Sequence, residues 1–177
     1  MLSDEIYEYI NFVGKHYSIA SFDELKNQVI IINGVSKGYA MTGWRIGYMA
    51  APQDVAMACD KMQGQFTSAA SSIAQKAAKA AISISTPDRD MMVETFRKRR
   101  DLVLNLMKDI PGWKTNTPEG AFYVFPDISY YFGKSDGQTT INTSGDFCMY
   151  LLNTANVSSV MGEAFGDPDC VRFSFAN

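Results

Sequence analysis

The chain of 177 residues has a single histidine, three cysteines and two tryptophans. Cys59, Cys148 and Cys170 are odd in number and widely spaced, without metal-ligand patterning, so neither a disulfide framework nor a metal site is indicated. Buried free thiols in a reducing compartment are the expectation. His16, alone in an unpatterned segment, supports no catalytic or metal role, and a surface or helix-end position is expected for it. No apolar stretch reaches bilayer-spanning length. Residues 1–5 carry neither a basic region nor an apolar core, so no secretory signal is expected. Excess positive charge is absent too: the net charge is -3, which gives no reason to expect nucleic acid or an anionic membrane as partner. These absences fit a cytoplasmic globular enzyme.

What is present is concentrated in one run. Residues 33–48 read Asn-Gly-Val-Ser-Lys-Gly-Tyr-Ala-Met-Thr-Gly-Trp-Arg-Ile-Gly-Tyr. Lys37 stands on a small-residue loop after the apolar segment Val29-Ile30-Ile31-Ile32, and Arg45 follows between Gly43 and Gly47. An amine and a guanidinium so placed suit a cofactor with an aldehyde at one end and a phosphate at the other. The lysine would form the Schiff base, and the arginine would hold the phosphate through paired N–H donors. Pyridoxal 5'-phosphate is the candidate. Taken alone, each residue has a plainer reading: a solvated lysine, and an arginine paired to a nearby carboxylate.

Two further runs flank this one in order. Ser3-Asp4-Glu5-Ile6-Tyr7 precedes it, and Cys170-Val171-Arg172-Phe173-Ser174-Phe175-Ala176 closes the chain. Together with Pro118-Glu119-Gly120-Ala121-Phe122-Tyr123-Val124-Phe125-Pro126-Asp127, this series resembles the class-I aminotransferases of the fold-type I pyridoxal-phosphate enzymes, closest to the aspartate aminotransferase branch. The resemblance covers nearly the whole chain but only the carboxyl-terminal half of the family's length, so the chain looks like part of a longer enzyme and is expected to be inactive alone.

The resemblance implies an α/β fold: part of a fold-type I large domain over residues 1–85, then a long connecting helix and a small α+β domain over residues 86–177. It implies that Asp4 pairs with the cofactor's ring nitrogen and that Tyr7 donates to its phenolate oxygen. Lys37 would be the catalytic lysine, Arg45 and Ser36 would hold the phosphate, and Arg172 would take the substrate α-carboxylate. Substrates would be an amino acid and a 2-oxo acid such as 2-oxoglutarate, and the full-length protein would be a homodimer. A related lyase, an aminotransferase for aromatic or other amino acids, and a truncated non-catalytic module remain the alternatives. Three positions depart from the family pattern. Gly34 stands where a phosphate-contacting Ser or Thr is frequent, Ser68-Ala69-Ala70 where Ser-Asn-Pro is, and Met161-Gly162 where Pro-Gly is.

Local patterns give the elements. Residues 1–10 read as the end of a buried strand, with Asp4 and Tyr7 at its carboxyl side, and residues 29–32 as a strand covered on both faces. Ser21 and Glu24 are spaced as a capping box. Residues 44–49 read as a strand carrying Arg45, and Pro52 opens a helix. Residues 68–84 and 88–110 read as helices, the second with Met92, Phe96, Val103, Leu106 and Ile110 inward and Arg97, Lys98, Arg100 and Asp101 outward. A strand near 121–125, a helix near 144–155 and short strands at 157–160 and 170–175 complete the expectation, with a domain boundary close to Thr86.

Overall fold

The computed structural model describes residues 1–84 and 87–176, and the expected boundary near Thr86 lies outside them. Two compact units are present, Met1–Val93 and Glu94–Asn177.

The first unit is built on a three-stranded sheet in the order β1-β2-β3: β1 (Leu2–Asp4), β2 (Ile30–Gly34) and β3 (Gly47–Ala50). β1 runs parallel to β2, with Leu2 opposite Ile30 and Asp4 opposite Ile32. β3 is antiparallel to β2, with Gly34 opposite Gly47. The β-branched run from Val29 forms β2 because such side chains fit the pleated surface. At its end two glycines face each other. A Cβ on Gly34 would lie 3.1 Å from both Gly47 Cα and the Ile46 carbonyl oxygen. Any larger residue there would push β3 away.

Burial in this sheet is lighter than the apolar sequence suggests. β1 is only three residues long, and Leu2 and Asp4 are exposed. Val29 is buried, but Ile30, Ile31 and Ile32 are only partly covered. β1 and β3 are both sheet edges, and neither they nor β2 have the continuous cover expected of a strand buried on both faces. The core of this unit gathers instead around Ile10, Val29, Val35, Ala74 and Ala78.

Helix α1 (Gln53–Phe66) starts directly after Pro52 and contains no buried residue. Helix α2 (Ser72–Ser83) buries Ala74 and Ala78, one turn apart on one face. The expected capping box at Ser21 does not form. Ser18 caps the short 3₁₀ turn Ile19–Ser21 by accepting from the Ala20 N–H, and the turn Asp23–Gln28 has no side-chain cap. The Ser21 hydroxyl donates back to the Ser18 carbonyl.

Helix α3 (Pro87–Met107) is the long helix of the sequence pattern, three residues shorter at its end. Phe96 is buried as expected, but Leu106 is exposed and Arg100 and Met107 are buried. Arg100 turns inward because its guanidinium has work there: it donates to the Pro118 carbonyl at 3.0 Å and pairs with Asp101 at 2.7 Å. A loop carbonyl supplied its partner, which periodicity could not register.

The second unit closes on a sheet in the order β4-β6-β5: β4 (Tyr123–Val124), β6 (Val171–Ser174) and β5 (Val160–Met161). Helix α4 (Ser144–Ala155) begins with a complete capping box. Ile128, Ile141, Phe147 and Val171 form the core, with Trp113, Tyr131 and Phe173 packed against it. Among the described residues no helix is long and apolar enough to cross a membrane. The three cysteines are free, as expected, but only Cys170 is buried; Cys59 lies on the unburied α1 and Cys148 is half-buried.

Candidate active site

The register of the first sheet decides where the chemistry-bearing residues meet. Asp4 ends β1 beside Ile32, and Gly34 ends β2 beside Gly47, which begins β3. The carboxyl ends of β1 and β2 and the start of β3 therefore form one edge. Asp4, the turn carrying Tyr7, the loop carrying Ser36 and Lys37, and Arg45 all belong to it. Open α/β sheets place ligands at such an edge.

Asp4 is exposed, and its Oδ1 accepts the Ile6 N–H at 3.2 Å, which bends the chain out of β1. The turn continues through Glu8 N–H to the Glu5 carbonyl and Ile10 N–H to the Tyr7 carbonyl. Tyr7 is half-buried, and its ring centre lies 6.0 Å from Lys37 Nζ. Ser36 and Lys37, both half-buried, ride on a turn closed by Tyr39 N–H to the Val35 carbonyl at 3.3 Å. Val35 is fully buried and fixes the base of that turn.

Arg45 departs from the strand expected for it. β3 begins only at Gly47, and Arg45 ends a 3₁₀ turn, Thr42–Trp44, in the left-handed region at φ 49°. Its Nη1 donates to the Thr42 carbonyl at 2.7 Å, closing the turn. The Met-Thr-Gly segment before it makes a turn, where the apolar flanks alone suggested extension. The side chain is exposed at the lysine edge.

A layer of aromatic and ionic contacts that the sequence did not reveal supports this edge. Tyr9 and Tyr39 meet edge to face at 5.3 Å, and the Arg89 guanidinium sits 4.2 Å above the Tyr9 ring while donating to the Tyr39 hydroxyl at 3.3 Å. The Tyr9 phenol is pushed well above its ordinary range by its hydrogen bond with Tyr39, by burial and by Glu8, so it stays protonated. Glu5 is buried, and His16, half-buried with its side chain 33% exposed, lies against it at 3.0 Å. Histidine in an irregular segment with a partner eleven positions away leaves no local pattern.

Arg172, in the second unit, lies on β6 opposite Val160. Its guanidinium carbon is 4.4 Å from the Tyr123 ring centre and 4.2 Å from that of Phe165. The guanidinium thus lies against two aromatic faces. The Asp167 carboxylate is engaged by the Asp169 N–H and the Cys170 thiol. Burial first, then Asp167, pushes that thiol up to about 12, which removes it as a nucleophile.

Strand order, the lysine turn at the sheet edge and the second small sheet place the chain in the mixed α/β class. The whole chain, residues 1–177, matches the family model for aminotransferase class I and II, and the chain belongs to that family. It is 46% identical over 181 residues to a bifunctional aspartate aminotransferase and glutamate/aspartate-prephenate aminotransferase from Petunia hybrida, and 43% identical to an aspartate aminotransferase from Pinus pinaster. These alignments cover 99% of this chain but 38% and 37% of those proteins. The crystal structure of the Rhizobium meliloti aspartate aminotransferase superposes with a TM-score of 0.94 at 41% identity, covering 99% of this chain and 45% of that one. The chain thus spans about two fifths of the length of its curated relatives.

Enzymes of this family depend on pyridoxal phosphate, and the groups at the sheet edge fit it. An amine, a phenol, a carboxylate, a hydroxyl and a guanidinium are brought to one edge by the strand register, matching in type an aldehyde, a phenolic oxygen, a ring nitrogen and a phosphate. At Gly34 a side chain would be crowded, its Cβ lying 3.1 Å from Gly47 Cα.

Proposed function

We propose that this chain carries the lysine-bearing part of a pyridoxal-phosphate-dependent aminotransferase of the aspartate type, which moves an amino group between an L-amino acid and a 2-oxo acid such as 2-oxoglutarate. The observation that carries the reading is the half-buried Lys37, its amine 6.0 Å from the Tyr7 ring at the edge shared with Asp4 and Arg45. The close relation to aspartate aminotransferases supports the substrate class. In this reading the remainder of the pocket comes from residues outside these 177, and the complete enzyme is a cytoplasmic homodimer. The free cysteines are in keeping with a reducing compartment.

Bound pyridoxal phosphate supplies an electron sink for the charge left when a proton leaves the substrate's α-carbon. Lys37 Nζ would hold the cofactor's aldehyde end, and its amine, free of it, would be the base that carries the α-proton. Asp4 keeps the ring nitrogen protonated, since an adjacent carboxylate favours the charged form of a base. The Tyr7 hydroxyl donates to the phenolic oxygen and stabilises its anion. Arg45 and the Ser36 hydroxyl hold the phosphate, Arg45 through its planar fork. Arg172 receives the α-carboxylate through the same geometry, its plane kept in place by Tyr123 and Phe165.

In full-length protein carrying this chain, Lys37→Ala is expected to abolish the visible band formed with pyridoxal phosphate and to stop transamination while leaving the melting temperature near the parent's. An unchanged band in the variant would remove Lys37 from the role.

A further inference from the structure

Directly after Asp4 stands a carboxylate that the proposed chemistry does not use. Glu5 is 7% exposed and is held from three directions. Its Oε1 accepts from the Ser18 hydroxyl at 2.9 Å and the Ser3 hydroxyl at 3.3 Å, and its Oε2 lies 3.0 Å from His16 Nε2. An ionised carboxylate only accepts, so Nε2 carries the hydrogen in that pairing. Burial by itself would raise the Glu5 carboxyl, but the bonds from His16 and Ser18 outweigh it and hold the group below its ordinary range.

The backbone of Glu5 is tied as well. Its N–H donates to the Ile32 carbonyl of β2 at 2.8 Å, and its own carbonyl accepts the Glu8 N–H at 3.0 Å. One residue therefore joins the end of β1, the turn bearing Tyr7, the strand leading to Lys37 and the segment around residues 16–18. That segment has no helix or strand of its own before the turn at Ile19. His16 and Ser18 reach Glu5 together because alternate residues of an extended chain point the same way, and Tyr17 between them is 80% exposed. β1 is too short for its ladder alone to hold the direction in which Asp4 and Tyr7 leave it.

We infer that Glu5, clamped by His16 and Ser18, is a positioning residue that sets Asp4 and Tyr7 against the ring of the cofactor held by Lys37. This rests on the functional reading above. The clamp touches neither cofactor nor substrate; it acts through its neighbours on either side. Its loss frees the turn, weakens the Tyr7 bond to the phenolic oxygen and makes the group protonate more readily.

The test uses full-length protein carrying this chain, loaded with pyridoxal phosphate. Glu5→Ala, His16→Ala and Ser18→Ala are compared with the parent by the pH midpoint of the visible band and by steady-state kinetics. Each variant is expected to move the midpoint upward, Glu5→Ala by about half a pH unit or more, and to lower kcat with little change in KM for the amino donor. Adding His16→Ala to Glu5→Ala should move the midpoint no further, because both act through one clamp. Should Glu5→Ala fail to fold, His16→Ala and Ser18→Ala carry the test, each removing one bond from the carboxylate. Parental midpoints and kcat in variants that merely melt lower would overturn the inference, as would additive shifts in the double variant. A borohydride control separates the two levels. If reduction fixes no cofactor to Lys37 in the parent, the functional reading falls; if Lys37 is labelled and the midpoints do not move, only the clamp falls.

Discussion

Gly38 follows Lys37, and a Cβ built on it would lie 2.6 Å from Tyr9 Cδ2 and 3.2 Å from Tyr9 Cβ. Tyr9 has little room to give way, being held between Tyr39 and the Arg89 guanidinium. Gly38→Ala is therefore expected to lower stability by about 1–3 kcal/mol, the usual range for overpacking, and thermal unfolding against the parent checks it. A variant that melts with the parent would mean the lysine turn is looser than its contacts indicate. Arg172 poses the complementary question of binding. Lysine keeps the charge but loses the fork that meets a carboxylate with two parallel bonds and the plane that stacks on Tyr123 and Phe165. In the full-length enzyme Arg172→Lys should raise KM for amino donors and 2-oxo acids alike, at a cost of about 2–5 kcal/mol if the pair is buried, with the cofactor's visible band unchanged. Substrate kinetics with an unaltered KM would reduce Arg172 to a structural stack.

At the scale of elements, α4 shows a helix written completely into its sequence. The Thr143 hydroxyl accepts the Asp146 N–H at 3.0 Å, and Asp146 Oδ2 accepts the N–H groups of Asn142 and Thr143 at the same distance. Thr143→Ala should cost about 1 kcal/mol, typical of an N-cap loss, measured as a shift in chemical denaturation midpoint. The helix at 144–155 is legible because cap and apolar face agree. Elsewhere the structure departs from the local pattern, once through a partner eighteen residues away and twice through contacts within three residues. Periodicity puts Arg100 on the outer face of α3, yet the Pro118 carbonyl draws it in. Ser21 and Glu24 have capping-box spacing, but Ser18 takes the cap three residues earlier. The apolar neighbours of Arg45 suggest a strand, while its own side chain closes a turn on Thr42. Lys37, Asp4 and Tyr7 stand in an ordered motif that the sequence displays, whereas the contact between Glu5 and His16 exists only once the folded chain brings them together.

At the scale of the whole molecule, the chain forms two compact units. It spans about two fifths of its curated relatives. Helix α1 has no buried residue, and its Met57, Met62 and Phe66 are exposed. Helices in proteins draw most of their stability from packing an apolar face, and in α1 only Val55 and Ala56 are half-buried. The central claim nevertheless concerns a single amine among all the lysines of the chain. Its most direct measurement is borohydride reduction of full-length protein incubated with pyridoxal phosphate, followed by peptide mapping of the fixed cofactor. The expected result is one stoichiometric label on the peptide containing Ser36, Lys37 and Gly38. Label on a different lysine, or protein left unlabelled after saturation with cofactor, would contradict it.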